Sequence, residues 1–164
     1  RDRDVVVATH GLSLYVIDDV TALQELTAEV RAKALHLFPP RPAEARHLLP
    51  GWADWNGEAK FRGENPKEGA LLTFWVKEAT GEPVKVSIEG PDGRPVANLT
   101  APGVPGLGRV SWDLKKTKDL LTEYGGLPAG RHVAPGDYRV TVKQGEAKST
   151  QTLKVTAAEG VETR

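Results

Sequence analysis

"VKVSIEGPDGRPV", residues 84–96, decides how the rest of the chain is read. Val84, Val86 and Ile88 alternate with Lys85, Ser87 and Glu89, and successive side chains of a strand point to opposite faces. One face is therefore apolar and the other polar, the pattern of a strand with one side on a core and one in water. Asp92-Gly93 follows at once. Gly tolerates positive φ, so the pair predicts a tight reversal into a second strand near Val96 to Leu99.

The same alternation extends in both directions. In "ALLTFWVKE" (70–78), Ala70, Leu72, Phe74 and Val76 share one face, and Leu71, Thr73, Trp75 and Lys77 the other. "GRVSWDL" (108–114) aligns Val110, Trp112 and Leu114, and "GDYRVTVK" (136–143) aligns Tyr138, Val140 and Val142. Gln144-Gly145 turns the chain into a last strand, Ser149 to Val155, while the stretch after Leu114 reads as a long loop. Short strands separated by turn signals predict an all-β chain, an immunoglobulin- or fibronectin-III-like antiparallel β-sandwich over residues 70–156 with a tail over 157–164. Val86, Ile88, Val110, Trp112, Tyr138 and Val140 are its expected core. Lys and Arg on outward positions blunt its edges.

Upstream the pattern loosens. Thr21 to Ala34 reads as one or two short helical turns: Thr21 and Gln24 have capping-box spacing, and Leu23, Leu26 and Val30 recur at helical intervals. "LHLFPPRPA" (35–43) must be extended, because Pro39 and Pro40 lack N–H donors and restrict the residues before them. No period appears over 44–69, so 21–69 reads as a linker with short helices and a packing loop. Within it, "GWADWNG" (51–57) sets Trp52 and Trp55 three residues apart. The two rings could present flat faces to a polysaccharide, with Asp54 and Asn56 bonding hydroxyls, since ligand sites combine apolar surface with a few placed polar groups. The preferred reading is that the rings fill a gap between packed elements, since Trp buries a large area and anchors interfaces.

At the start, "VVVATHGLSLYVIDDV" (5–20) reads as two short strands joined by a tight turn. A lone hairpin is marginal in water, and Val5, Val7, Leu14, Val16 and Ile17 form too much apolar surface for a free tail. The hairpin, residues 1–20, is therefore expected either to pack on its own linker and sandwich or to make a homodimer with a second copy. Asp18-Asp19, just before Thr21, favours the N-terminus of the following helical turn.

Composition narrows the function. Lys plus Arg equals Asp plus Glu, 22 each, in 164 residues, so no long-range field draws the chain to nucleic acid or to an anionic membrane. No apolar run approaches the ~18 residues of a membrane-spanning helix. Neither nucleic acid nor membrane is an expected partner. The absence of Cys excludes disulfides and thiolate ligands. The four His residues (10, 36, 47 and 132) are dispersed, whereas a zinc site needs converging ligands, so no metal site is expected. Phosphate-binding glycine loops and a nucleophile elbow are missing, and the chain by itself suggests no catalytic residue and no cofactor. It begins Arg1-Asp2-Arg3-Asp4 and contains no Met. With the orphan hairpin, this leads to the expectation of a piece of a larger protein.

Three stretches carry a family resemblance. "ATHGLSLYVIDDV" (8–20) resembles the closing strands of β-propellers in bacterial BNR-repeat, sortilin-like "glycosyl hydrolase" proteins. "LHLFPPRPA" and "RGENPKEGALLTFWVK" (62–77) look like the linker and first sandwich strand that follow such a propeller. The remainder is similar to the C-terminal immunoglobulin-like module of those proteins and of flagellar hook-capping proteins. His10-Gly11-Leu12-Ser13 departs from the family turn, which usually carries Arg after the Gly, and the repeated Asp-box is absent. The resemblance implies that residues 1–20 are the remnant of a last propeller blade. It further implies that the partner is a propeller of the same protein, and that the setting is secreted or periplasmic. The chain's task would be non-catalytic, bracing the propeller or mediating assembly; the alternative is a carbohydrate-binding module built on Trp52 and Trp55.

Overall fold

The computed structural model describes residues 3–11, 14–46, 69–123, 127–159, 161 and 163, with the backbone alone over 117–123 and 127–131. Its strands are β1 (Val5–Ala8), β2 (Leu14–Ile17), β3 (Leu35–Leu37), β4 (Ala43–Ala45), β5 (Ala70–Val76) and β6 (Val84–Glu89). They continue with β7 (Pro95–Ala101), β8 (Gly106–Trp112), β9 (Lys115–Glu123), β10 (Leu127–His132), β11 (Gly136–Gln144) and β12 (Ala147–Ala157). Two helical turns, α1 (Thr21–Gln24) and α2 (Ala28–Ala32), lie between β2 and β3. The chain is all-β in class, as the alternation predicts.

Two sheets share one core. The larger has strand order β4-β12-β11-β6-β7 and the smaller β3-β5-β8. Val86, Ile88, Val140, Val142 and Leu153 of the first meet Leu37, Leu72, Phe74 and Trp112 of the second in one buried cluster. Of the expected core, Val86, Ile88, Trp112, Tyr138 and Val140 are buried. Val110 is only half-buried against the cluster, because β8 pairs with β5 alone and stands at its sheet's edge. The approach is close there: a β-carbon on Gly108 would sit 2.3 Å from the Phe74 ring, its cross-strand partner.

The β6–β7 reversal forms as read, with a small difference in the turn. Pro91 and Asp92 occupy its centre, closed by Gly93 N–H donating to the Gly90 carbonyl (2.9 Å). Gly93 takes the left-handed position that follows (φ 76°), and the Asp92 carboxylate accepts from the Arg94 N–H (3.1 Å). Near the start of β11, the Tyr138 hydroxyl donates to the Ala134 carbonyl (2.6 Å), and its ring packs on Trp112 at 5.6 Å between centroids. Burial, and to a lesser degree Asp92, raises the Tyr138 pKa above the ordinary phenol value.

Three parts of the sequence reading are corrected. The loop expected after Leu114 is a hairpin, β9–β10, paired antiparallel as a sheet of its own. The segment read as linker joins both sheets: β3 pairs antiparallel with β5, and β4 pairs parallel with β12. Between them Pro39, Pro40 and Pro42 carry the chain across, where no ladder N–H is needed. Leu37 fastens the corner, its N–H donating to Ser149 Oγ (2.9 Å) and its carbonyl accepting from Gln151 Nε2 (3.2 Å). Finally, Thr21 does not cap α1; Val20 stands at that position without a side-chain bond. The side-chain cap belongs to α2, where Thr27 Oγ1 accepts from the Val30 N–H (3.3 Å).

Candidate functional site

The hairpin β1–β2 is formed, with Val5 opposite Ile17, Val6 opposite Val16, Val7 opposite Tyr15 and Ala8 opposite Leu14. Directly opposed residues share a face. One face therefore carries Val5, Val7, Tyr15 and Ile17, the other Val6, Ala8, Leu14 and Val16. Both are apolar. Every residue of both strands is exposed, Val5 at 39% and Leu14 at 70%. Against the described residues, then, these strands do not pack as expected; among those residues the hydrogen bonds of the segment beyond its own ladder fall at the positions flanking the strands.

Those flanks are tied from several sides. Val20 N–H donates to the Arg3 carbonyl (2.9 Å), and Asp19 N–H to Asp4 Oδ1 (2.8 Å). Asp19 is buried and left-handed (φ 49°), a conformation Asp tolerates better than most residues. Its Oδ1 accepts from Thr21 Oγ1 (2.6 Å) and from the Thr21 N–H (3.2 Å), which serves the start of α1 much as its position suggests. Its Oδ2 meets Arg41 Nε at 3.3 Å. From β8, Arg109 reaches across: Nη1 donates to the Asp18 carbonyl (2.7 Å), Nη2 to the Asp19 carbonyl (2.8 Å) and Nε to Thr73 Oγ1 (3.2 Å). Bonds from a guanidinium are charge-assisted, and its planar fork fits two neighbouring acceptors.

A cleft of about 600 Å³ opens beside this junction, lined among others by Asp4, Asp19, Arg41, Arg46, Leu71 and Arg109. Its charges answer one another: Arg41 pairs with Asp19 and Asp4, Arg46 with Glu44, and Arg109 with the backbone carbonyls. The described guanidinium groups at the junction thus each have an acceptor or a carboxylate within reach. Among the described residues no three His, Asp or Glu side chains gather into a metal site, and no helix is long and apolar enough to cross a membrane.

Trp52, Asp54, Trp55 and Asn56, the candidate carbohydrate-binding residues, lie outside the described residues, as does His47. Trp112 is core, whereas Trp75 is half-buried on the opposite face of β5, across from His36. His36 stacks edge-on against Phe38 at 5.0 Å. Burial first, and Lys33 second, hold its pKa below the ordinary imidazole value. Asp113 ends β8 structurally, accepting from the Lys115 N–H (3.1 Å). Arg109 is the residue of this junction that sequence reasoning missed; its only signal was a cation placed outward on an edge strand.

Comparison with known proteins returned no matching family model, no matching curated protein and no matching solved structure.

Proposed function

We propose that the chain is a non-catalytic accessory module of a larger glycosyl-hydrolase-like β-propeller protein, secreted or periplasmic, and that hairpin β1–β2 is the part that docks. The observation that carries this reading is the apolar character of both hairpin faces, exposed on a base that is firmly tied. Strands buried on both faces read as near-continuous apolar runs, and "VVVA" and "LYVI" read that way. A second copy packed on one face, or paired along one edge, leaves the other face in water. A sheet lying between two further layers, as in a propeller blade, covers both. The Tyr138 hydroxyl bond to a carbonyl four residues upstream, beside a buried Trp112, supports the immunoglobulin-like reading of the module, since such a corner is a hallmark of those sandwiches.

The test begins with the coding sequence upstream of Arg1. Repeated segments of alternating hydrophobicity in frame with it support the reading. Expressed together with that region, the amides of Val5–Ala8 and Leu14–Ile17 should become strongly protected from hydrogen exchange. A coding sequence without such repeats, or exchange unchanged by the added region, contradicts the proposal. Concentration-dependent dimerisation abolished by Val6→Glu and Val16→Glu would assign the hairpin to self-association instead.

A further inference from the structure

We infer that Arg109 is a positioning residue that locks the hairpin at a fixed pose on the module, making it a preorganised docking arm rather than a tether. The inference deepens the docking reading and rests on it for the word docking; the lock itself is a property of this chain alone. Three observations converge. Arg109 spends all three guanidinium nitrogens across one junction, two on successive carbonyls of the hairpin's exit and one on Thr73 of β5. Asp19 adopts its left-handed turn at that point while its carboxylate is held by Thr21 and Arg41. The hairpin's two ends are joined there, Val20 to Arg3 and Asp19 to Asp4. The strands beyond make no use of this: their apolar side chains stay in water.

A hairpin with this much apolar surface would lower its free energy by collapsing onto its own module, since burial of apolar area is favourable. Its exposed pose therefore requires a restraint at the base, and the Arg109 fork with the Asp19 turn supplies one. A restrained element loses less conformational freedom when a partner seats on it, so preorganisation raises affinity without adding a contact.

The absence of Cys makes the experiment clean. Spin labels at Val16→Cys on β2 and Lys85→Cys on β6 report the distance between hairpin and module by electron–electron double resonance. The lock predicts one narrow maximum in the otherwise unaltered chain. Arg109→Ala and Arg109→Lys, the latter keeping the charge but not the fork, should each lose that maximum to a broad, shifted distribution while the near-ultraviolet signal of buried Trp112 persists. Arg94→Ala, an exposed turn residue, should leave the distribution unchanged. A broad distribution in the starting chain, an unaltered one in both Arg109 variants, or a loss of the near-ultraviolet signal in both would overturn the lock. Hairpin amides that gain protection with the upstream region despite a broad starting distribution would retain the docking reading and remove the lock.

Discussion

Hairpins β6–β7 and β1–β2 are built from the same kind of residue and end in opposite environments. In β6, Val84, Val86 and Ile88 are buried and the polar residues between them face outward. In β1 and β2 nothing polar separates the apolar residues, and none is buried. A strand with one apolar face needs one layer to complete it, and the second sheet provides that layer. A strand with two apolar faces needs a layer on each side, and the described residues of this chain provide neither. Polar alternation thus marks a surface that the two described sheets cover between them; its absence marks one that the described residues leave exposed.

The sharpest way to break this comparison is to truncate one residue on each side of it. Ile88→Ala opens a cavity in the shared core and should cost about 2–5 kcal/mol. Val16→Ala removes a side chain that touches mostly water and should stay within about 0.5 kcal/mol. Denaturant unfolding of both variants measures the difference, and equal midpoints would contradict it. A smaller effect is expected from Gly108→Ala, where the added methyl meets the Phe74 ring. Overpacking of this kind costs about 1–3 kcal/mol, read as a lowered unfolding temperature.

The smallest expected effect is acid sensitivity of the module through His36. Its folded pKa lies below the unfolded value of about 6.5, chiefly because of burial. The unfolded state therefore binds the proton first. The stabilising contribution is complete above that pH and declines as pH falls toward the folded pKa. His36→Asn should flatten the stability profile across this window; a profile unchanged by the substitution contradicts the assignment.

Much of the shared core of the two sheets was legible because their strands obey the rule that β6 states most clearly. Leu72, Phe74, Trp112, Tyr138 and Val140 all fall where alternation puts them. What escaped has physical reasons. Lys115–Glu123 shows no alternation, and the better clue to its hairpin was Gly125-Gly126, a turn pair of the kind that joins two strands. Strands β3 and β4 are three residues each and flank a run of prolines, so the chain could be read as extended there but not as paired. The Arg109 lock was hidden because its acceptors are backbone carbonyls some ninety positions away in sequence, and carbonyls carry no residue-specific signal. The Trp52 and Trp55 reading falls outside the described residues.

Residue-resolved hydrogen exchange of the isolated chain tests the central claim most directly, that the hairpin is held by its base and lies outside the cooperative core. Stability within a fold is not uniform, and elements with few buried contacts open at low cost. The amides of Val86 and Val140 should exchange only through global unfolding, with rates that respond steeply to denaturant. Those of β1 and β2 should exchange orders of magnitude faster, through local openings of a mostly formed hairpin, and should ignore denaturant at low concentration. Hairpin amides that exchange as slowly as Val140, with the same denaturant dependence, would contradict the account.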